Sequence, residues 1–279
     1  MFASETPTMF TMDNNTAIAA LAPTATYEPT PSVEQVVPVA TTTPRHWTFP
    51  IAAQPILRME ADGRLAPRVM GYEYLLRPTG GDPMEVAKRL DRIGLGVSLT
   101  RAMIRVAIES ASSHDGFVAV NLTPDALAQP GITNTIRRWL ETSGLDPQRL
   151  VLELSEWAMP RDLDRTLIVM RALREMGVRL AVDDLGGGVS PLRYLMQPVD
   201  MVKLAKSVLD RAVKSDDTQQ LLALVDYVSA LGAELVWEGV ETPTHLNWIA
   251  SLNRKALMQG YVFGQPDPAG QVALPRNVA

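Results

Sequence analysis

The chain has 279 residues, room for one large domain or two small ones. It is 46% hydrophobic and 20% charged, a balance that describes a globular protein with a sizeable core. Lys and Arg number 26 against 31 Asp and Glu, a net charge of −5 that excludes a generic binder of DNA or of anionic membrane. Cysteine is absent and the histidines are three, His46, His114 and His245. Disulfides, thiolate zinc sites, iron–sulfur clusters and cysteine nucleophiles are therefore excluded, and a metal here has to be held by oxygen, as Mg2+, Mn2+ and Ca2+ are.

Residues 1–46 are rich in Thr, Pro and Ala, including Pro23, Pro29, Pro31, Pro38 and Pro44, carry Arg45 as their one Lys or Arg, and follow neither hydrophobic period. Such a segment buries too little surface to offset chain entropy, so a disordered leader is expected there, with a barrel domain over 47–279. The first 20 residues hold no Lys or Arg, so the positive region of a secretory signal is missing. No apolar run approaches the roughly 18 residues that a membrane span needs, and a cytoplasmic protein is the default expectation.

Short β-type runs then alternate with amphipathic stretches. Strands are expected at Ala53–Arg58, Gly71–Arg77, Phe117–Leu122, Leu150–Leu154, Val178–Asp183, Met201–Leu204, Glu234–Trp237 and Leu257–Phe263. Asp162–Met176 places Leu163, Leu167, Met170 and Leu173 at helical spacing between Pro160 and Gly177. Ser207–Leu231 is expected to be helical, with Leu221, Val225 and Val228 on one stripe. Eight strands alternating with helices predict an α/β fold, a modified TIM (β/α)8 barrel, over its competitor, a doubly wound open sheet. Tyr72 and Tyr74 flanking Glu73, with the turn-like Ala61–Arg64, predict an antiparallel pair of opening strands.

Acidic and amide residues recur at the carboxyl ends of these strands: Glu73, Asn121, Glu153, Asp183, Asp184, Glu238 and Gln259. In a barrel those ends share one mouth. Carboxylates crowded together need a Lys, an Arg or metal ions to stay ionised. Asp183-Asp184 before Gly186-Gly187-Gly188 fits an aspartate pair shared between two metals, and fits equally a pair that caps the next helix. Glu153 and Glu156 read alternatively as solvated strand-end charges, Asn121 as a turn residue and Lys203 as a snorkelling cation. Yet Lys203 lies inside the apolar run Met201–Leu204, where a buried cation demands an anionic partner.

From about Gln54 to Pro266 these residues resemble the EAL domain, the cyclic-di-GMP phosphodiesterase module of bacterial signalling. The signature stands as Gly71-Tyr72-Glu73-Tyr74-Leu75-Leu76-Arg77, with Tyr74 in place of the naming alanine. It continues through Gln54-Pro55-Ile56, Asn121-Leu122-Thr123, Glu153-Leu154-Ser155-Glu156, Asp183-Asp184-Leu185-Gly186, Val202-Lys203-Leu204, Glu238-Gly239-Val240-Glu241-Thr242 and Gln259-Gly260-Tyr261.

The resemblance implies a barrel that binds cyclic di-GMP at its mouth and, with Mg2+ or Mn2+, opens one phosphodiester to linear pGpG. It assigns Glu73, Asn121, Glu153 and Asp183 to one metal and Asp183, Asp184 and Glu238 to the second. Lys203 would orient or help deprotonate the attacking water, Gln54, Arg77, Glu241 and Gln259 would surround the ligand or support the metal site, and Glu156 would anchor the loop after Asp184. It also implies a homodimer formed through helices beside the mouth. Departures from the family pattern are Ala205, where an aspartate is usual two residues beyond the lysine, Leu185 and Gly187 in the loop followed by Val189 and Pro191, and Ala256. The expectation is a metal-dependent phosphodiesterase of reduced turnover. Its alternative is an inactive module that acts as a cyclic-di-GMP receptor or binds a protein partner.

Overall fold

The computed structural model describes residues 46–66, 68–79, 81–155, 162–187, 197–215 and 218–275. The leader, except His46, lies outside these, as do Glu156, Val189 and Pro191. Strand β1 (His46–Met59) is followed by β2 (Gly71–Leu76), β3 (Phe117–Leu122), β4 (Leu150–Ser155), β5 (Arg179–Leu185), β6 (Met201–Leu204), β7 (Glu234–Trp237), β8 (Ala256–Gln259) and β9 (Asp267–Pro275). From β2 to β8 each strand is parallel to the next, and β1 closes the ring antiparallel to both β2 and β8. This is the expected modified barrel with its antiparallel opening pair. The turn between the pair is closed by a Gly63 N–H bond to the Glu60 carbonyl at 3.0 Å.

Helices α1 (Pro83–Arg92), α2 (Gly96–Ser110), α3 (Pro124–Leu127), α4 (Ile132–Ser143), α5 (Leu163–Glu175), α6 (Lys206–Lys214), α7 (Gln219–Ala230) and α8 (Pro243–Ser251) separate the strands. Their starts follow from the sequence. Asp82 caps α1 by accepting from Glu85 N–H, with Pro83 at the first position, and Asp162 caps α5 by accepting from Arg165 N–H.

Two apolar layers hold the barrel. One lies between sheet and helices and includes Leu152, Leu180, Leu204, Leu209 and Trp237. The other fills the barrel interior with Ile56, Phe117, Ala119, Val151, Ala181, Met201, Val236 and Leu257. Gly71 completes that plug by having no side chain, since a Cβ there would fall 2.4 Å from the Phe117 ring.

Three expectations need correction. The segment Ser207–Leu231 is two helices, α6 and α7, not one. Leu209 of the first and Val225 of the second are both buried, yet at 3.6 residues per turn a single helix would point them about 160° apart. The last barrel strand ends at Gln259, not Phe263, because Gly260 turns hard against the Val240 backbone, where a Cβ would lie 2.1 Å from the carbonyl oxygen. The first strand starts at His46 rather than Ala53, since its outer half pairs with β9. No strand was expected at β9, where Pro268 and Gly270 weaken the β signal.

A carboxylate cage at the barrel mouth

The plug and the mouth share one rule. Each strand contributes an apolar residue to the interior and, two positions nearer the mouth, a polar one, because alternate side chains share a face. The pairs are Gly71 and Glu73, Ala119 and Asn121, Val151 and Glu153, Ala181 and Asp183, Met201 and Lys203, Val236 and Glu238, and Leu257 and Gln259. On β1 the order reverses, Ile56 to Gln54, because that strand runs the other way. Gln54 stands opposite Glu73 in the β1–β2 register, and Asn121 opposite Glu153 in β3–β4.

At the centre stands Lys203, 1% exposed. Its Nζ lies 3.1 Å from Glu73 Oε2, 3.0 Å from Glu153 Oε2, 2.9 Å from Asp183 Oδ1 and 2.9 Å from Glu238 Oε1. Glu73 also accepts from Asn121 Nδ2 at 2.6 Å and from Gln259 Nε2 at 2.7 Å, and Gln259 Nε2 reaches Gln54 Oε1 at 3.1 Å. Burial alone would raise the Glu73 pKa, but the Lys203 charge and the hydrogen bonds from Gln259 and Lys203 hold it below the usual carboxylate value. Burial dominates at the other three. It drives Glu153 and Glu238 well above the usual range and raises Asp183, with Lys203 opposing only in part. Lys203 loses solvation too, yet the surrounding carboxylates hold its pKa well above normal, so it is an ammonium.

Asp183 and Asp184 are adjacent but both line the mouth. The β5–β6 register shifts between Val182 and Leu185, which puts one extra residue on β5, and Asp184 sits at φ 58. This bulge with a left-handed residue breaks the alternation that would otherwise send one acid into the barrel wall. Residues 188–196, where the helix of the capping alternative would start, lie outside the described residues.

The mouth opens into a cavity of about 750 Å³, within the range of small-ligand sites. Arg77 lines its wall, with Met84, Leu99 and Met103 of α1 and α2 on an apolar flank. Glu241 also lines it, but its carboxylate reaches Lys206 Nζ at 3.3 Å and takes no part in the cluster around Lys203. Lys206 bonds Asp210 at 2.9 Å, Asp210 meets His245 Nε2 at 3.3 Å, and His245 Nδ1 accepts from Glu241 N–H at 3.3 Å. This ring ties the Glu238–Glu241 turn to α6. The i, i+4 spacings of Lys206 with Asp210 and of Glu241 with His245 were its signal in the sequence.

A family model described as the EAL domain matches residues 43–266. The chain belongs to the EAL domain family. Among curated relatives of this EAL chain, MucR of Pseudomonas aeruginosa, a bifunctional diguanylate cyclase/cyclic di-GMP phosphodiesterase, is 34% identical over 223 residues. The match covers 75% of the chain and 32% of MucR. The chain thus spans about a third of the length of that relative. The solved MucR phosphodiesterase in complex with c-di-GMP superposes with a TM-score of 0.68 at 29% identity, over 79% of the chain and 97% of that structure. Klebsiella pneumoniae BlrP1, solved with manganese and cy-diGMP, gives 0.66 at 27% identity, over 88% and 62%.

Tyr74, at the signature's alanine, lines the mouth cavity but takes no part in the hydrogen bonds of the cage. It is 3% exposed, and its hydroxyl lies 3.5 Å from His114 Nε2, whose ring packs tilted against that of Tyr72 with centroids 4.6 Å apart. Tyr74→Ala is therefore expected to cost about 3 kcal/mol of stability while leaving turnover near the unmodified value. Denaturant melts beside steady-state kinetics check both.

Proposed function

We propose that this EAL domain binds cyclic di-GMP in the mouth cavity and, with two divalent cations, hydrolyses one phosphodiester to linear pGpG at reduced turnover. The observation that carries this reading is the oxygen cage. Four carboxylates, Glu73, Glu153, Asp183 and Glu238, contact one ammonium, Lys203, and a fifth, Asp184, lines the same mouth. With all five ionised the deficit is four positive charges, the charge of two divalent ions. The residues fit such ions. Glu153 Oε1 is buried without a hydrogen-bond partner, and Asp183 Oδ1 is near Nζ but not aligned for a hydrogen bond. The donors are all hard oxygen.

Glu73, Asn121, Glu153 and Asp183 would hold one ion, and Asp183, Asp184 and Glu238 the other. Bound ions would supply charge stabilisation at the phosphoryl oxygens and a more acidic water. Arg77 and Gln54 would contact the ligand, and Gln259 and Glu73 would keep the cage in register. As an ammonium, Lys203 can orient the attacking water by donating to it but cannot take its proton. Water adds to phosphorus, the bond to the ribose 3′ oxygen breaks, and that oxygen leaves with a proton. Glu241, through Lys206, would hold the Glu238 turn. The leader over 1–46 and the anchoring of the loop by Glu156 stay part of this proposal.

Ala205 favours a second reading, a receptor without turnover. Purified protein with Mn2+ and cyclic di-GMP, followed by nucleotide chromatography, separates the two. Release of pGpG supports the hydrolase, and tight binding without product supports the receptor. Absence of both overturns the ligand assignment.

A further inference from the structure

We propose that Lys203 is the resident counter-cation of the carboxylate cage, and that a divalent ion enters by exchange with it. The inference rests on the metal reading above. Nζ lies within 3.1 Å of one oxygen on each of Glu73, Glu153, Asp183 and Glu238, three of them assigned to one ion and two to the other. Among the described residues no three acidic or histidine groups converge on a common point at ligand distance. They converge on the ammonium instead. An oxygen that binds a hard divalent ion at about 2.0–2.6 Å cannot keep an ammonium in contact without bringing the two cations within about 6 Å of each other. Lys203 therefore has to give up part of its set as the ions take the same atoms, and its flexible four-carbon stem allows the shift. Glu153 Oε1 and Asp183 Oδ1, both buried without a hydrogen-bond partner, are the oxygens available to an incoming ion. By linkage, a cation that competes for these oxygens weakens metal binding, and its removal strengthens it by the same factor.

The test reads metal binding, not turnover. In unmodified protein carrying 13C-labelled lysine, the Lys203 signal, assigned with Lys203→Arg, is followed during titration with Mg2+ alone, beside calorimetry of the same titration. The expected result is that the signal moves with the calorimetric midpoint. Mg2+ binding with that signal unmoved overturns the exchange. Lys203→Met is expected to bind Mn2+ about 5- to 150-fold more tightly, and Lys203→Arg no more tightly than the unmodified protein. An unchanged or weaker affinity of a folded Lys203→Met overturns the proposal. If that variant does not fold, the titration of the unmodified protein decides. Absence of any Mg2+ or Mn2+ heat is a different failure, since it overturns the metal reading and the exchange together.

Discussion

Asp183→Asn is expected to lower release of pGpG by about 10³-fold or more while leaving the fold intact. Asp183 is the one side chain assigned to both ions, so its loss would weaken both sites at once. The effect on stability runs the other way from the usual buried-charge substitution. Removing one partner of a buried ion pair normally leaves an uncompensated charge and costs several kcal/mol. Here burial, joined by the charges of Glu73 and Asp184, already opposes ionisation of Asp183, and Lys203 keeps three other carboxylates. A neutral isostere relieves part of that repulsion. Thermal melts of the metal-free protein should be close to unmodified or slightly higher, and product release at saturating Mn2+ should collapse. A rate within tenfold of the unmodified protein would show that Asp183 holds no ion needed for the reaction.

The barrel was legible because its strands are buried on both faces and separated by capped helices. Runs such as Phe117–Leu122 and Leu150–Leu154 have no other home than the wall of a parallel sheet. The polar members of the mouth were legible for the same reason, as charges at the ends of apolar runs. What joined them was not. That Lys203 meets four carboxylates from β2, β4, β5 and the end of β7 depends on strand register, and no local pattern encodes the register that joins residues 20 or more positions apart. The bulge that turns Asp184 to the mouth is one residue of extra chain, invisible unless both strands are aligned. Glu241, expected from its sequence context around the ligand or in support of the metal site, lines the cavity, and its pairing with Lys206 depends on where α6 begins. The break between α6 and α7 shows the converse limit, since each half satisfies the helical period and only their relative phase forbids a single helix.

Ala205→Asp is expected to raise turnover by about 10²- to 10⁴-fold, the usual worth of a general base, and to stabilise the fold by about 1 kcal/mol, the usual worth of an N-cap. Both effects follow from where Ala205 stands. It is the residue after β6, two beyond Lys203, and it is the N-cap of α6 with no side-chain cap bond. An aspartate there would accept from the Ser207 N–H, next to the Val208 N–H that already donates to the Ala205 carbonyl at 2.9 Å, and place a carboxylate beside the turn of Asp184, whose carbonyl accepts from Gly187 N–H at 2.9 Å. That carboxylate would supply the proton acceptor that Lys203, held as an ammonium, cannot be. The site can take the larger side chain only if Gly187 stays a glycine, since a Cβ there would already lie 3.3 Å from the Ala205 Cβ. The two effects separate the readings. A higher melting temperature with a higher kcat at saturating Mn2+ supports a hydrolase lacking one acid, whereas a higher melting temperature with no gain in pGpG leaves only the cap, and then the barrel serves as a receptor.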